Sequence, residues 1–201
     1  QTPLTRLIRR RQMKIRLVIW TAIYGLVAAT GAGILWMRIP VLSRIYAVAL
    51  GVLLINLLGV YQKDQKSISN ELAVFAGLSL ALPFVYTATN GHMIRELLGL
   101  WLLCALVLSS PIFTVRIRLS GDEAVAGAMV YYISGLAILL LLVQVDLLPS
   151  TVAWTFLIPV VKLVVILLWM DRYRRLKITS IGFVELGLAI AFAVWVGLVF
   201  V

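Results

Sequence analysis

The sequence predicts an all-α membrane protein, a polytopic helix bundle of about seven transmembrane helices. Of its 201 residues, 63% are hydrophobic and only 13% are charged, against roughly 45–50% and about 25% in soluble domains. Mean hydropathy is +1.07. The apolar runs are long and unalternating. Only helices and closed barrels satisfy every backbone polar group in lipid, and a barrel strand would alternate, so the runs read as helices.

Each crossing needs ~20 apolar residues, and seven segments qualify. They fall at about 17–36, 43–61, 71–89, 96–113, 124–145, 151–170 and 181–201. The breaks between them carry local signals. Pro40 and Ser43 open the second segment. Ser69 and Asn70 are candidate caps of the third, with Glu71 favourable in its first turn. Asn90-Gly91 is a turn signal before the fourth, and Pro149-Ser150 separates the fifth from the sixth. Ala28 with Ala32, Ala29 with Gly33, and Ala124 with Ala128 have four-residue spacing and predict packed helix faces. Trp20, Trp36, Trp101, Trp169 and Trp195 fall mostly near segment ends, as an aromatic belt requires.

The net charge of +10 excludes more than it suggests. In a soluble protein it would point to nucleic acid. Here the cations cluster at the ends of apolar runs, as the positive-inside rule expects, and no nucleic-acid partner is read. The N-terminal segment and the loops at 62–70, 114–123 and 171–180 hold 14 of the 18 lysines and arginines, whereas the opposite side holds Arg38, Arg44 and Arg95. This asymmetry predicts a cytoplasmic N-terminus and an external C-terminus in a bacterial inner membrane or thylakoid-type membrane. A cysteine placed at Lys66 or Lys177 should therefore resist an impermeant thiol reagent added outside intact cells. Strong labelling from outside would overturn the orientation.

The chain opens with Gln1 and a basic stretch too polar for a signal-peptide core. Residues preceding Gln1 are therefore expected. Residues 1–201 read as a single helix-bundle domain, the C-terminal part of a longer protein. Cys104, inside an apolar run, reads as a small buried hydrophobe.

Polar residues inside a membrane are functional candidates by default. Asn56, Glu71, Lys162 and Glu185 lie in the predicted cytoplasmic half, and Gln144 near the outer end of its helix. Lys162 is eight residues from its inner helix end, about 12 Å deep, and Glu185 is four residues in, about 6 Å deep. Their helices are joined by a short loop and run antiparallel. A lysine stem covers the difference, so an ion pair facing the bundle interior is expected. It either pins two helices or forms the mouth of a polar cavity. Arg116 and Arg118 are further ligand candidates. Asp122 and Glu123 read as solvated loop charges, Asp146 as a turn residue, and His92 as a lone loop histidine without metal-site partners. No metal, cofactor or catalytic motif is read.

Ser67–Gly77 reads SISNELAVFAG, followed by LSLALPFVYTATNG. Glu71-Leu72-Ala73-Val74-Phe75 resembles a Gly-Glu-Leu-x-Val-Phe stretch of the UbiA superfamily of intramembrane prenyltransferases. The wider pattern resembles the YwiC-like family of bacterial membrane proteins. That likeness runs from Pro3-Leu4, through Gln65-Lys66-Ser67-Ile68-Ser69-Asn70-Glu71-Leu72, to Ile181-Gly182-Phe183-Val184-Glu185. The UbiA likeness implies a nine-helix bundle whose first two helices precede Gln1. It also implies Asp-rich motifs, N-D-x-x-D-x-x-x-D and D-x-x-x-D, at segments 1–16 and 114–123. There the sequence departs from the pattern: segment 1–16 has no carboxylate, and Asp122 is followed four residues later by Ala126. Several carboxylates are needed to hold Mg²⁺ against a diphosphate. The resemblance therefore implies a UbiA-like shell without that metal site. Such a shell is expected to be non-enzymatic and to bind an isoprenoid or quinone-type lipid. A prenyltransferase and a small-solute transporter are the alternatives.

Overall fold

The computed structural model describes residues 15–62 and 67–200. Most of segment 1–16, together with Lys63 and Lys66, lies outside them. Among the described residues there are only helices and turns. Seven helical stretches are long and apolar enough to cross a membrane. The chain is a multi-pass membrane protein. It divides into two compact units, one up to Ile94 and one from Arg95 onward.

The first unit holds α1 (Ile15–Arg38), α2 (Leu42–Tyr61), α3 (Ile68–Ser79) and α4 (Ala81–Asn90). The third predicted crossing is thus a broken helix. Pro83 has no N–H to offer the Ser79 carbonyl, and its ring crowds that turn. The chain responds with a tighter turn, Leu80 N–H donating to Gly77 O at 3.2 Å, before Phe84 N–H resumes the ladder on Leu80 O. The α3 cap is Ser67, whose hydroxyl accepts from the Asn70 N–H at 3.3 Å. The expected caps Ser69 and Asn70 lie inside the helix, because the hydroxyl three residues before Asn70 reaches an orphan N–H first. The Asn90-Gly91 turn forms as read: Gly91 has φ +74° and donates to Thr87 O. Among the described residues Ala28 and Ala29 are exposed, and Ala32 and Gly33 are half-buried.

The second unit is built around α5 (Glu96–Ser120), with α6 (Asp122–Gln144), α7 (Ser150–Ala153), a 3₁₀ turn (Trp154–Phe156), α8 (Leu157–Leu168), α9 (Met170–Arg175) and α10 (Ile178–Phe200). α5 runs seven residues beyond its expected end at 113, so Arg116 and Arg118 stand on a helix and not in a loop. Gly121, at φ +62°, ends α5 and leads directly into α6. Only glycine adopts that backbone without strain. Asp122 and Glu123 are exposed in the first turn of α6, where the helix dipole favours them. Asp146 takes the turn position read for it, at φ +55°, a conformation aspartate tolerates.

Close packing in this unit uses small residues. Ala128 is fully buried, as its spacing predicts. Gly135 sits against the Phe156 ring, and Gly99 against the Leu147 carbonyl. Cys104 is buried and free. Ser109, Ser110 and Thr114 are buried on α5. Ser109 donates to Ala105 O at 2.5 Å and lies 2.7 Å from the Tyr131 hydroxyl, which donates to Leu106 O. Ser109 and Tyr131 therefore each find an acceptor within the bundle, as a dry interior requires.

Candidate functional site

The second unit gathers its polar groups toward one end of the crossings, the end that carries Gly121 and the basic run Arg172–Lys177. α8 ends at Leu168 and α10 begins at Ile178. Lys162 and Glu185 are therefore six and seven residues from that end, about 9 and 10 Å deep. The depths are nearly level, where the sequence suggested a mismatch. The reason is that α10 begins three residues earlier than expected and the connection coils into α9.

At this depth Lys162 Nζ lies 2.9 Å from Glu185 Oε2 and 3.0 Å from Oε1. The side chains are 10% and 17% exposed. Lys162 also donates to Ser110 Oγ at 3.2 Å, and the Thr114 hydroxyl has one proton for two acceptors, Glu185 Oε1 and Pro111 O, each at 3.3 Å. An unpaired central lysine costs about 2.5–3.5 kcal/mol on the translocon scale. A direct pair with hydroxyl support removes most of that cost. Tyr132, 3% exposed, approaches the cluster through Ser110, yet its hydroxyl completes no hydrogen bond among the described residues.

A cavity of about 40 Å³ adjoins the pair, room for about three water molecules. Ser110, Lys162 and Glu185 supply its polar wall; Val107, Pro111, Pro159 and Leu188 are among its apolar lining. Two prolines set within helices thus meet at one site, and each leaves a carbonyl one turn earlier without its N–H. For Pro111 that carbonyl belongs to Val107, itself a lining residue.

Toward the basic end, Tyr173 donates from its hydroxyl to Thr114 O at 3.4 Å. Burial pushes the Tyr173 phenol above its ordinary range, the Thr114 hydrogen bond offsets part of this, the Glu185 charge adds to it and Arg118 opposes it. Arg118 holds the Leu176 carbonyl through Nε and Nη2 at 3.2 and 2.9 Å, so it ties the α9–α10 connection to α5. Arg116 stands two residues earlier on α5.

The candidates therefore separate. Lys162 and Glu185 come together as expected, and Arg118 acts at the helix end. Asn56 and Glu71 belong to the first unit. There Asn56 Nδ2 donates to Asn70 Oδ1 at 3.4 Å. Gly59 makes this approach possible, since an added Cβ would lie 2.7 Å from that oxygen. Glu71 is half-buried beside Asn70 in the first turn of α3. His92 is exposed, its Nδ1 3.0 Å from Asn90 O. Among the described residues no cluster of three or more His, Cys, Asp or Glu could hold a metal ion. Sequence reasoning missed Ser110, Thr114 and Tyr132. The legible signal was the i, i+4 spacing of Ser110 and Thr114, which gives the most buried helix one polar edge.

Against this geometry the comparisons are informative for the first unit. Residues 1–86 match the family model of YwiC-like proteins. The YwiC-like match covers Asn56 and the SISNELAVFAG segment, where the resemblance was read, and ends before the Ile181–Glu185 part of it. No curated protein and no solved structure matches the chain.

Proposed function

We propose that this multi-pass membrane protein binds the polar head of an isoprenoid or quinone-type lipid at the Lys162–Glu185 pair. The supporting observation is a charged, hydroxyl-supported pair set in a small cavity whose other walls are apolar. An amphiphile meets both surfaces at once: its head finds the paired charges and its tail lies along Val107, Ile158 and Leu188 toward the membrane. Lipid sites between bundle helices take this general form, with a few convergent polar groups in an apolar wall. No step of chemistry is assigned to the head group.

A photoreactive isoprenoid probe in lipid nanodiscs tests the reading. Labelling should concentrate on peptides containing Val107–Pro111 and Ile158–Lys162, and compete with unlabelled isoprenoid. The combined Lys162→Met and Glu185→Leu variant should remain folded and lose this labelling by about tenfold or more, the loss of one charge-assisted hydrogen bond or better. Uniform labelling of all lipid-exposed helices, unaffected by the double variant, would end the proposal.

A further inference from the structure

We infer that the head group taken at this cavity is a neutral hydrogen-bond donor, a hydroxyl as in a prenyl alcohol or a hydroquinone, and not a diphosphate or a simple carbonyl. The inference rests on the lipid-site reading above and names its ligand class. It follows from a count of what the cavity's polar groups have left to offer.

An ammonium has three N–H donors and no acceptor. Lys162 directs its donors to Glu185 Oε1, Glu185 Oε2 and Ser110 Oγ. Its donors are committed. A carboxylate accepts through about four lone-pair positions. Glu185 Oε1 receives Lys162 and shares the single Thr114 proton with Pro111 O, whereas Oε2 receives Lys162 alone. An acceptor position therefore remains on Glu185, which lines the cavity. The Ser110 hydroxyl, which accepts from Lys162, keeps its own proton as the hydroxyl donor of the lining, and the Tyr132 hydroxyl belongs to a residue outside that lining. The Glu185 position is met only by a ligand that donates, and a hydroxyl can at the same time accept from Ser110.

Charge and size point the same way. The pair is already neutral as a unit, so an arriving anion gains no free cation and faces the Glu185 carboxylate. Like-charge juxtaposition is a strong means of rejecting the wrong ligand. A cavity of about 40 Å³, about three waters, accommodates a hydroxymethyl head and not a diphosphate.

The test uses the intact protein in nanodiscs and four probes with one tail: farnesol, farnesyl methyl ether, farnesal and farnesyl diphosphate. Tryptophan-fluorescence titrations are read against empty nanodiscs. Farnesol should bind. The ether and the aldehyde, which lack the O–H, should bind about tenfold more weakly or worse, and the diphosphate weakest. An ether or aldehyde equal to the alcohol, or a diphosphate tighter than it, would overturn the donor assignment and leave the lipid site standing. Absence of binding by all four would remove the lipid site and this inference together.

Discussion

Glu185→Leu should lower the unfolding temperature more than any other single substitution at the candidate site. It leaves Lys162 about 9 Å inside the span with only Ser110 Oγ as a partner. Stranding one member of a buried pair typically costs about 3–5 kcal/mol. The modest exposure of both side chains, 10% and 17%, puts the effect at the lower end of that range. Glu185→Gln keeps an acceptor and should cost less. Adding Lys162→Met to Glu185→Leu removes the stranded charge and should recover part of the loss. Thermal unfolding in detergent, followed by tryptophan fluorescence, measures all three. A Glu185→Leu protein as stable as wild type would mean that water or lipid phosphate already solvates Lys162.

Gly99→Ala should be comparably damaging for a different reason. A Cβ there would lie 2.1 Å from the Leu147 carbonyl oxygen and 3.0 Å from Leu148 Cβ. The obstacle is backbone, which cannot rotate away as a side-chain tip can. Overpacking of this kind costs about 1–3 kcal/mol, and here α5 must move from the turn that follows α6. Gly127→Ala provides the contrast, because nothing lies within 4 Å of its added Cβ. Replacing that helical glycine should be neutral or stabilising by up to about 1 kcal/mol. Equal melting temperatures for the two variants would show that the α5 contact with Leu147 does not constrain the fold.

Much of this architecture was legible in the residues, because long apolar runs leave the backbone few choices in lipid. The Asn90-Gly91 turn and the burial of Ala128 followed from single-residue chemistry. The level of the ion pair did not. It depended on where α8 stops and α10 starts, and helix ends are the least certain feature of a sequence. Arg116 and Arg118 looked like loop residues because charge marks an interface, yet α5 carries them past it and Arg118 then caps the Leu176 carbonyl. The Ser110, Thr114 and Tyr132 hydroxyls escaped notice because hydroxyls are common in membrane helices. Only their convergence on Lys162 and Glu185 makes them matter, and convergence is a tertiary fact.

The break at Leu80 also bears on how the chain enters a membrane during synthesis. α3 and α4 have 12 and 10 residues, about 18 and 15 Å of helix, so neither half alone crosses ~30 Å of hydrocarbon. An inserting nascent chain cannot commit this crossing when α3 emerges. It must wait for Asn90, by which time α2 is already present to receive Asn70 beside Asn56. The second and third crossings should therefore enter the bilayer as one hairpin. Shortening α4 by a turn should leave α3 stranded at the surface, visible as a glycosylation or protease site on the wrong side of the membrane.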